Sequence, residues 1–381
     1  MSLRTLWMLM PALIAIGCLS LAGSSLSAPK GKEPTPRGSQ EFYPGDYTQK
    51  GVLGRSLPGW WRPFSDDSPW NREIPSNART HPDSAHIMRY AVTEATHLRL
   101  PNIYSVPLWV VNSDNVPHRK VRSDKIYDDW DRDRDGWSDI GVPLTQEMWA
   151  EPTVDGHLCV IDPFKKIAWE FSKFRFLGDG TPSCTTFNVW DLAGTGVAKP
   201  FEGERWWARG GRGSGFPLIA GIVRPEELAA GEIRHALIFS MPRNRKSDEG
   251  KTMIVPPASR SDARYKGQQY PVEGMLFQLD PRLTEKDFDR WGLGREARVL
   301  ARALQKYGMY LCDNGGAMVV LVQLLGPSRE ENRKRWERLF PGFYENVKRI
   351  PANRFRVVYT GETLTKDEAS LRTAMSAAPG D

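Results

Sequence analysis

The middle of the chain alternates short apolar runs with turn-forming residues. The runs are rich in Val, Ile and Phe, and Gly, Pro and Asp separate them. This pattern is typical of short β-strands. The strands predicted in this region are 105–111, 157–162, 168–176, 185–191, 219–223, 233–240, 253–255 and 275–279. The turn at 162–166 is expected to join two of them as a hairpin.

Helical spacing of apolar residues is found mainly near the start of this region and towards the C-terminus. Gly308 is positioned to end one helix, and Ser328 with Glu331 forms a capping box at the start of another. The predicted helices are 84–94, a short helix from 225 to 231, 297–307, 328–339 and 342–349. Strands are also expected at 309–312, 317–324 and 355–359.

Strands therefore dominate the predicted elements, and most helices fall in the C-terminal third. We expect a mainly β fold, specifically a β-sandwich or jelly-roll-like domain with peripheral helices. Residues 59–360 are predicted to form a single globular domain. The segment 29–58 is rich in Pro, Gly, Ser and Lys and predicts a flexible linker, and 361–381 predicts a disordered tail.

The N-terminus has the pattern of a secretory signal peptide over 1–28. A short basic start precedes an apolar run over 6–23, and small residues follow it. Two alternatives remain. An imperfect lipobox ends at Cys18, so the protein could be a lipoprotein, and the apolar run could also stay uncleaved as a membrane anchor. All three place the folded part in the periplasm or outside the cell. A stable membrane attachment is expected only if the signal is uncleaved or lipidated.

Composition narrows the class of partner. The 381 residues carry a formal net charge of +6, which weakly favours an anionic partner such as an acidic glycan. There is no basic stripe, which argues against nucleic acid. The 14 Trp residues suit stacking on sugar rings or filling a β-rich core. Of the three cysteines beyond the signal, Cys159 and Cys184 are the favoured disulfide pair.

An acidic loop predicts a structural Ca²⁺ site. Carboxylates on alternate positions, followed by a glycine that permits a sharp turn, form a spacing that wraps a hard cation. The expected ligands are Asp131, Asp133, Asp135, the carbonyl of Trp137, and Asp139. The twelfth position is Val142 instead of the Glu of an EF-hand. The alternative is a solvated loop whose Asp and Arg charges pair among themselves.

Five residues are candidates for catalysis. Glu151, Asp155 and His157 surround a turn that enters a strand, so His157 could act as a general base with a carboxylate beside it. Glu170 stands between two aromatic residues on a strand. It would face solvent, or line a cleft and donate a proton. Tyr310 could act as a phenolic acid or base, or belong to the core.

A second group of residues is expected to contact substrate. A Gly-rich loop pairs aromatic residues with arginines, which suits stacking on sugar and binding of carboxylate or sulfate. The candidates are Trp206, Trp207, Arg209, Arg212, His235 and Asn314. An ordinary surface loop and a satisfied core histidine are the alternatives.

Several short motifs together resemble a group of secreted bacterial β-rich proteins of unassigned activity. They are 68–71, 155–157, 213–215, 235–237 and 307–310, with Asp313 and the glycines at 315 and 316. The resemblance covers about 60–325 and implies no catalytic assignment. At the level of the fold, the chain is also similar to jelly-roll carbohydrate-active enzymes.

These patterns lead to two alternative functions. The first is an exported enzyme that cleaves a polysaccharide as a lyase or as a glycoside hydrolase, and the positive net charge favours an acidic substrate. A lyase would neutralise a uronate with Arg212 or Asn314 and use His157 or Tyr310 on the α-proton, whereas a hydrolase would use paired carboxylates. The second is a non-catalytic, Ca²⁺-stabilised glycan-binding or cell-envelope protein.

Overall fold

The computed structural model describes residues 51–123, 125–127 and 129–369. The predicted signal peptide, most of the predicted linker and the end of the predicted tail lie outside these residues. Within them, no helix combines the length and apolar character needed to cross a membrane.

Strands form most of the described elements. Those of the first half are β1 (Val52–Gly54), β2 (Leu108–Val111), β3 (His118–Arg119), β4 (Lys125–Ile126), β5 (Val142–Pro143), β6 (Leu158–Asp162), β7 (Ile167–Ser172), β8 (Arg175–Phe176), β9 (Pro182–Ser183) and β10 (Thr186–Asp191). Those of the second half are β11 (Leu237–Met241), β12 (Met253–Ile254), β13 (Leu276–Leu279), β14 (Met309–Asn314), β15 (Val319–Val320), β16 (Phe355–Val358) and β17 (Leu364–Thr365).

The helices are α1 (Ser84–Glu94), α2 (Pro225–Ala230), α3 (Glu285–Trp291), α4 (Arg295–Lys306), α5 (Arg329–Leu339) and α6 (Phe343–Val347). The Ser328 hydroxyl accepts the N–H of Glu331, so the predicted cap of α5 is confirmed. Gly231 ends α2 in a left-handed conformation, as the sequence predicts. Because α1 and α2 precede much of the second half, the helices are not confined to the C-terminal third.

Six strands form one sheet in the order β1-β2-β6-β7-β10-β4. The predicted hairpin joins β6 to β7, with Leu158 opposite Phe171. Asp162 closes its turn, because one carboxylate oxygen accepts the N–H groups of Phe164 and Lys165 at 2.9 Å each. The strand prediction is accurate here because each apolar run is bounded by strong turn residues.

A second sheet has five strands in the order β15-β11-β14-β13-β16. Its centre is the parallel pair β11 and β14. The register of this pair shifts so that Phe239 faces Leu311 while Ser240 faces Asp313, which leaves Cys312 as an extra residue. A bulge of this kind redirects the side chains that follow it, and here it directly precedes Asp313.

The prediction of a β-rich fold is confirmed, but the strand directions do not support a jelly roll. A jelly roll is built from antiparallel strands. In the first sheet β2 is parallel to β6 and β10 is parallel to β4. Two predicted domain boundaries also differ from the structure. The strand β1 lies within the expected linker. The strand β17 lies within the expected tail and pairs with β12 of the globular part.

The two sheets share one hydrophobic cluster. Along β6, Cys159 and Ile161 contribute to this shared cluster together with Ile238 of β11 and Tyr310 of β14. The intervening β6 residues join a separate cluster on the outer face of the first sheet. The outer face of the second sheet packs against α1 and the C-terminal helices. Side chains therefore alternate between layers with the period of a strand.

The expected disulfide is wrong, and the layering explains why. Cys159 belongs to the shared cluster, whereas Cys184 belongs to the outer cluster of the first sheet. Among the described residues, the cysteines form no disulfide with one another. Two strand-like runs that are near in sequence can direct their thiols to opposite faces, and sequence spacing does not reveal which face each takes.

Candidate functional site

A polar pocket of about 560 Å³ lies where the parallel strands β11 and β14 end. It is lined by Asp155, His157, Gly211, Arg212, Gly213, Pro242, Arg260, Asp262, Arg264, Tyr265, Asp313, Asn314 and Gly315. Charged and polar groups of both signs thus meet in one concave surface.

Three of the chain segments that line the pocket are joined by backbone hydrogen bonds. The end of β14 supplies Asp313 and Asn314. The Gly-rich loop is attached to β14, because the Ser214 N–H donates to the Cys312 carbonyl at 3.0 Å. The segment that carries Asp262 is attached in turn, because the Ser259 N–H donates to the Ser214 carbonyl at 3.0 Å.

A cluster of carboxylates forms one wall. The Asn314 amide donates to Asp262 Oδ1 at 2.6 Å, and the Asp262 N–H donates to Glu273 Oε2 at 3.3 Å. The Asn244 amide donates to Glu273 Oε1 at 2.9 Å. Glu273 is fully buried. Burial, followed by the neighbouring charge of Asp262, raises the pKa of Glu273 well above its usual value.

Gly213 lies between Asp262 and Asp313. A β-carbon at this glycine would be 2.6 Å from Asp262 Oδ1 and 2.9 Å from Asp313 Oδ1. Only a residue without a side chain therefore allows the two carboxylates to approach each other. Burial raises the pKa of Asp313 to about 7, with a further contribution from the charge of Asp262. A carboxyl group with a raised pKa beside a second carboxylate suits a division into proton donor and base.

Two arginines, the half-buried Arg260 and the buried Arg212, face this acidic wall and differ in role. The Arg260 guanidinium donates to the carbonyls of Arg209, Gly210 and Arg212 at 2.7, 3.1 and 2.7 Å, which fixes the Gly-rich loop. Arg212 is 3% exposed, and its Nε and Nη2 have no hydrogen-bond partner. Unsatisfied buried donors are costly, so Arg212 is suited to bind an anionic group.

Glu151, Asp155 and His157 come together at the edge of the pocket. One ligand atom from each lies within 4.8 Å of the others. Burial, and then the charge of Arg212, lowers the pKa of His157 to about 3. Burial, and further the charge of Asp155, raises the pKa of Glu151. The structure thus brings the three residues together, and their predicted catalytic role stays a prediction.

Glu170 and Tyr310 lie in the interior and do not line the pocket, although Glu170 is near enough to the pocket residue Arg212 for that charge to act on its pKa. Glu170 faces neither solvent nor the pocket, and it accepts hydrogen bonds from Trp190 Nε1 at 2.8 Å and from the Ile219 N–H at 3.1 Å. Burial raises its pKa to about 8. The Tyr310 ring packs edge-on against Trp70, and burial raises its pKa. Both side chains belong to the interior between the sheets.

Several predicted substrate contacts also lie away from the pocket. His235 is buried, and its Nε2 is 2.9 Å from Glu227 Oε1. Trp206 packs against Phe201, and Trp207 is 41% exposed on the same short 3₁₀ turn. The Arg209 guanidinium stacks 4.3 Å from the Tyr127 ring centroid. Of the six predicted contacts, Arg212 and Asn314 are the ones that line the pocket.

The acidic loop brings three of its predicted ligands together. Asp131, Asp133 and Asp135 each present an oxygen within 4.8 Å of the others, and Gly136 has a φ of +83°. Asp131 is buried, and its Oδ1 has no hydrogen-bond partner although Oδ2 pairs with Arg205 at 2.9 Å. This orphaned oxygen fits a cation.

Of the other two predicted ligands, Asp139 is engaged in an ion pair within the chain, and Trp137 makes its contact through the N–H and not through the carbonyl that was predicted as a ligand. Asp139 pairs with Arg132 at 2.7 Å, which is the kind of internal pairing that the alternative interpretation expects. The Trp137 N–H donates to Asp135 Oδ1 at 2.8 Å.

Sequence reasoning missed Asp262, Glu273 and Arg260, and it gave Asp313 no chemical role. Asp313 precedes Asn314 and two glycines at the end of a strand, and that position could have marked it. Asp262 and Glu273 lie in loops without a recognisable motif, and the sequence contains no signal for them.

No known protein family, curated protein or solved structure matches this chain. The resemblance to secreted bacterial β-rich proteins stays a prediction, and the site is interpreted from its own geometry.

Proposed function

We propose that this protein is an exported glycoside hydrolase that cleaves an acidic polysaccharide in the periplasm or outside the cell. The observation that carries the proposal is the juxtaposition of Asp262 and Asp313 across Gly213 in a polar pocket. Glycoside hydrolysis needs two carboxyl groups on either side of the scissile bond, one of them protonated.

Asp313 is the proposed general acid. With its pKa raised to about 7, a substantial fraction of its carboxyl groups is protonated at neutral pH and can donate to the glycosidic oxygen. Asp262 is the proposed carboxylate partner, held by the Asn314 amide at 2.6 Å. Glu273 is the positioning residue behind Asp262.

The spacing of the pair favours a retaining mechanism. One point lies 2.6 Å from an oxygen of Asp262 and 2.9 Å from an oxygen of Asp313. These oxygens are therefore closer than the roughly 6.5–9.5 Å that inverting enzymes need to admit a water. Asp262 would attack the anomeric carbon as the bond to the leaving oxygen breaks and Asp313 gives that oxygen its proton. Water would then release the sugar, and Asp313 would accept a proton from that water.

Arg212 supports an acidic substrate. Its Nε and Nη2 are buried without partners beside the carboxylate pair, so a uronate or sulfate group of the sugar would satisfy them. The alternative lyase mechanism is less favoured, because Tyr310 lies in the interior and the low pKa of His157 makes it a weak base.

The test is product formation by the purified protein on a panel of neutral and acidic polysaccharides. We expect new reducing ends without the ultraviolet absorbance of an unsaturated uronate. D313N and D262N should each lose the activity, whereas D114N should retain it, because Asp114 is an exposed surface acid. Unsaturated products would favour a lyase, and full activity of both pocket variants would refute the proposed roles.

A second candidate function is a Ca²⁺-stabilised glycan-binding or cell-envelope protein without catalysis. The observation that favours it is Trp207, a 41% exposed aromatic residue beside the half-buried Trp206. Retention on an immobilised polysaccharide, lost in W207A but unchanged in D313N, would support binding without cleavage.

A further inference from the structure

We propose that Glu151, Asp155 and His157 form a binding site for a divalent transition-metal ion at the edge of the pocket. The proposal concerns metal binding and does not depend on the reaction proposed above. Its basis is the close placement of the three side chains together with the burial of the Glu151 carboxylate.

The geometry is compatible with a single ion. One donor atom from each side chain lies within 4.8 Å of the other two. Zinc–nitrogen and zinc–oxygen bonds are about 2.0–2.2 Å long. The three donors could therefore surround one ion once the side chains move closer together, and His157 would exchange a contact with the carbonyl of Ser105 or Gly211 for the ion.

Glu151 provides an independent indication of a cation site. Glu151 is 2% exposed, and neither buried carboxylate oxygen has a partner at full hydrogen-bond distance. Thr153 and the Gly156 N–H are the nearest donors and lower its pKa in part, but burial outweighs them and the pKa stays raised. A buried carboxylate normally gains a donor, a counter-ion or a metal, since burial without one is strongly unfavourable. A metal ion shared with Asp155 and His157 would satisfy both oxygens at once.

The backbone holds the three residues in place. The Glu151 N–H donates to the His157 carbonyl at 2.8 Å, which closes the segment. The Lys173 N–H donates to the Asp155 carbonyl at 2.7 Å. Gly156 has a φ of +49°, and a β-carbon there would be 2.7 Å from Lys173 Cα. The loop is thus fitted against the end of β7, so its donors are preorganised.

The donor set selects the class of ion. Ca²⁺ and Mg²⁺ prefer oxygen ligands, and an imidazole with two carboxylates suits Zn²⁺ or Mn²⁺ better. The acidic loop of Asp131, Asp133 and Asp135 offers oxygen ligands alone, so it should show the opposite preference. The two sites can therefore be distinguished by the ion they bind.

The site opens towards the pocket. Asp155 and His157 line the cavity, whereas Glu151 does not. A bound ion would keep Glu151 on its buried side and direct an open coordination position into the cavity. The positive charge of Arg212 is near enough to lower the pKa of His157. Asp313 offsets this charge, and Arg212 in turn lowers the pKa of Asp313.

The experiment is calorimetric titration of the chelator-treated protein with Zn²⁺, Mn²⁺ and Ca²⁺ separately. We expect one Zn²⁺ or Mn²⁺ per chain at this site, weakened at least tenfold in E151Q, D155N and H157N. D131N is the matched control and should retain Zn²⁺ affinity. Circular dichroism and thermal unfolding of each variant check that it is folded, and D155N alters the most accessible ligand.

Two outcomes would overturn the proposal. One is the absence of Zn²⁺ and Mn²⁺ binding by folded wild-type protein. The other is equal affinity of the wild type and of folded D155N or E151Q for these ions. Loss of metal binding with retained cleavage, or the reverse, would separate this site from the proposed hydrolase chemistry.

Discussion

Replacement of Gly213 by alanine is a sharp test of the carboxylate pair. The added methyl group would lie 2.6 Å from Asp262 Oδ1, 2.8 Å from Asp262 Cγ and 2.9 Å from Asp313 Oδ1. Real β-carbons essentially never approach another heavy atom more closely than 3.0 Å. One of the two carboxylates or the Gly213 backbone must therefore move, and the energetic cost depends on how firmly each is held.

Neither carboxylate can withdraw freely. Asp262 is held by the Asn314 amide at 2.6 Å and by its own N–H, which donates to Glu273. Asp313 is part of β14, which pairs with β11. The substitution should therefore act as overpacking, which costs about 1–3 kcal/mol of stability. A displacement of about 1 Å of a catalytic group can lower the rate by about 10²-fold, so we expect a loss of that order in kcat/KM.

The assay compares G213A with G178A, a control that also adds one methyl group. A β-carbon at Gly178 would have no neighbour within 4 Å, so this variant should resemble the wild type. Chemical denaturation measures the free energy of unfolding, and the polysaccharide assay measures kcat/KM. If G213A matches G178A in both, the two carboxylates are not packed against Gly213 and the proposed pair is refuted.

Three further predictions follow from buried or half-buried charges. The raised pKa of Asp313, from 3.8 to about 7, means that its stabilising proton is fully present below about pH 4 and lost as the pH rises through about 7. D313N should thus gain stability relative to wild type at alkaline pH in denaturation curves, and an unchanged pH dependence would contradict this. E227Q should lose about 3–5 kcal/mol because Glu227 forms a buried pair with Arg224, whereas D66N, at an exposed pair, should lose at most about 1 kcal/mol. Saturating Ca²⁺ should raise the thermal midpoint of the wild type, because Ca²⁺ at 100 times Kd adds about 2.7 kcal/mol to the free energy of unfolding. The thermal midpoint of D131N should not change.

The sequence predicted secondary structure well where neighbouring residues alone determine it. The range 84–94 of α1 matches the prediction because apolar spacing determines a helix without reference to distant residues. The predicted strand at 219–223 instead makes an isolated bridge from Val223 to Val322. A short apolar run records burial, and only its distant partners decide whether it becomes a strand.

The candidate site was predictable in part for the same reason. Asp155 and His157 are neighbours in sequence, so their proximity in the pocket follows from one turn. Asp262 and Glu273 meet Asp313 only through the packing of separate loops on β14. Sheet partners were also beyond prediction, because parallel pairing of β11 with β14 joins residues that are far apart in the chain.

That parallel pairing explains why the pocket is where it is. The carboxyl ends of adjacent parallel strands meet at one edge of a sheet, and the loops that leave them diverge to form a crevice. Here the Gly315 N–H donates to the Met241 carbonyl at 2.9 Å, so the two strands stay joined up to the point where the pocket begins. The bulge at Cys312 then redirects the last residues of β14. The sheet therefore fixes the position of Asp313, the proposed proton donor, and the loop residues around it determine which substrate fits.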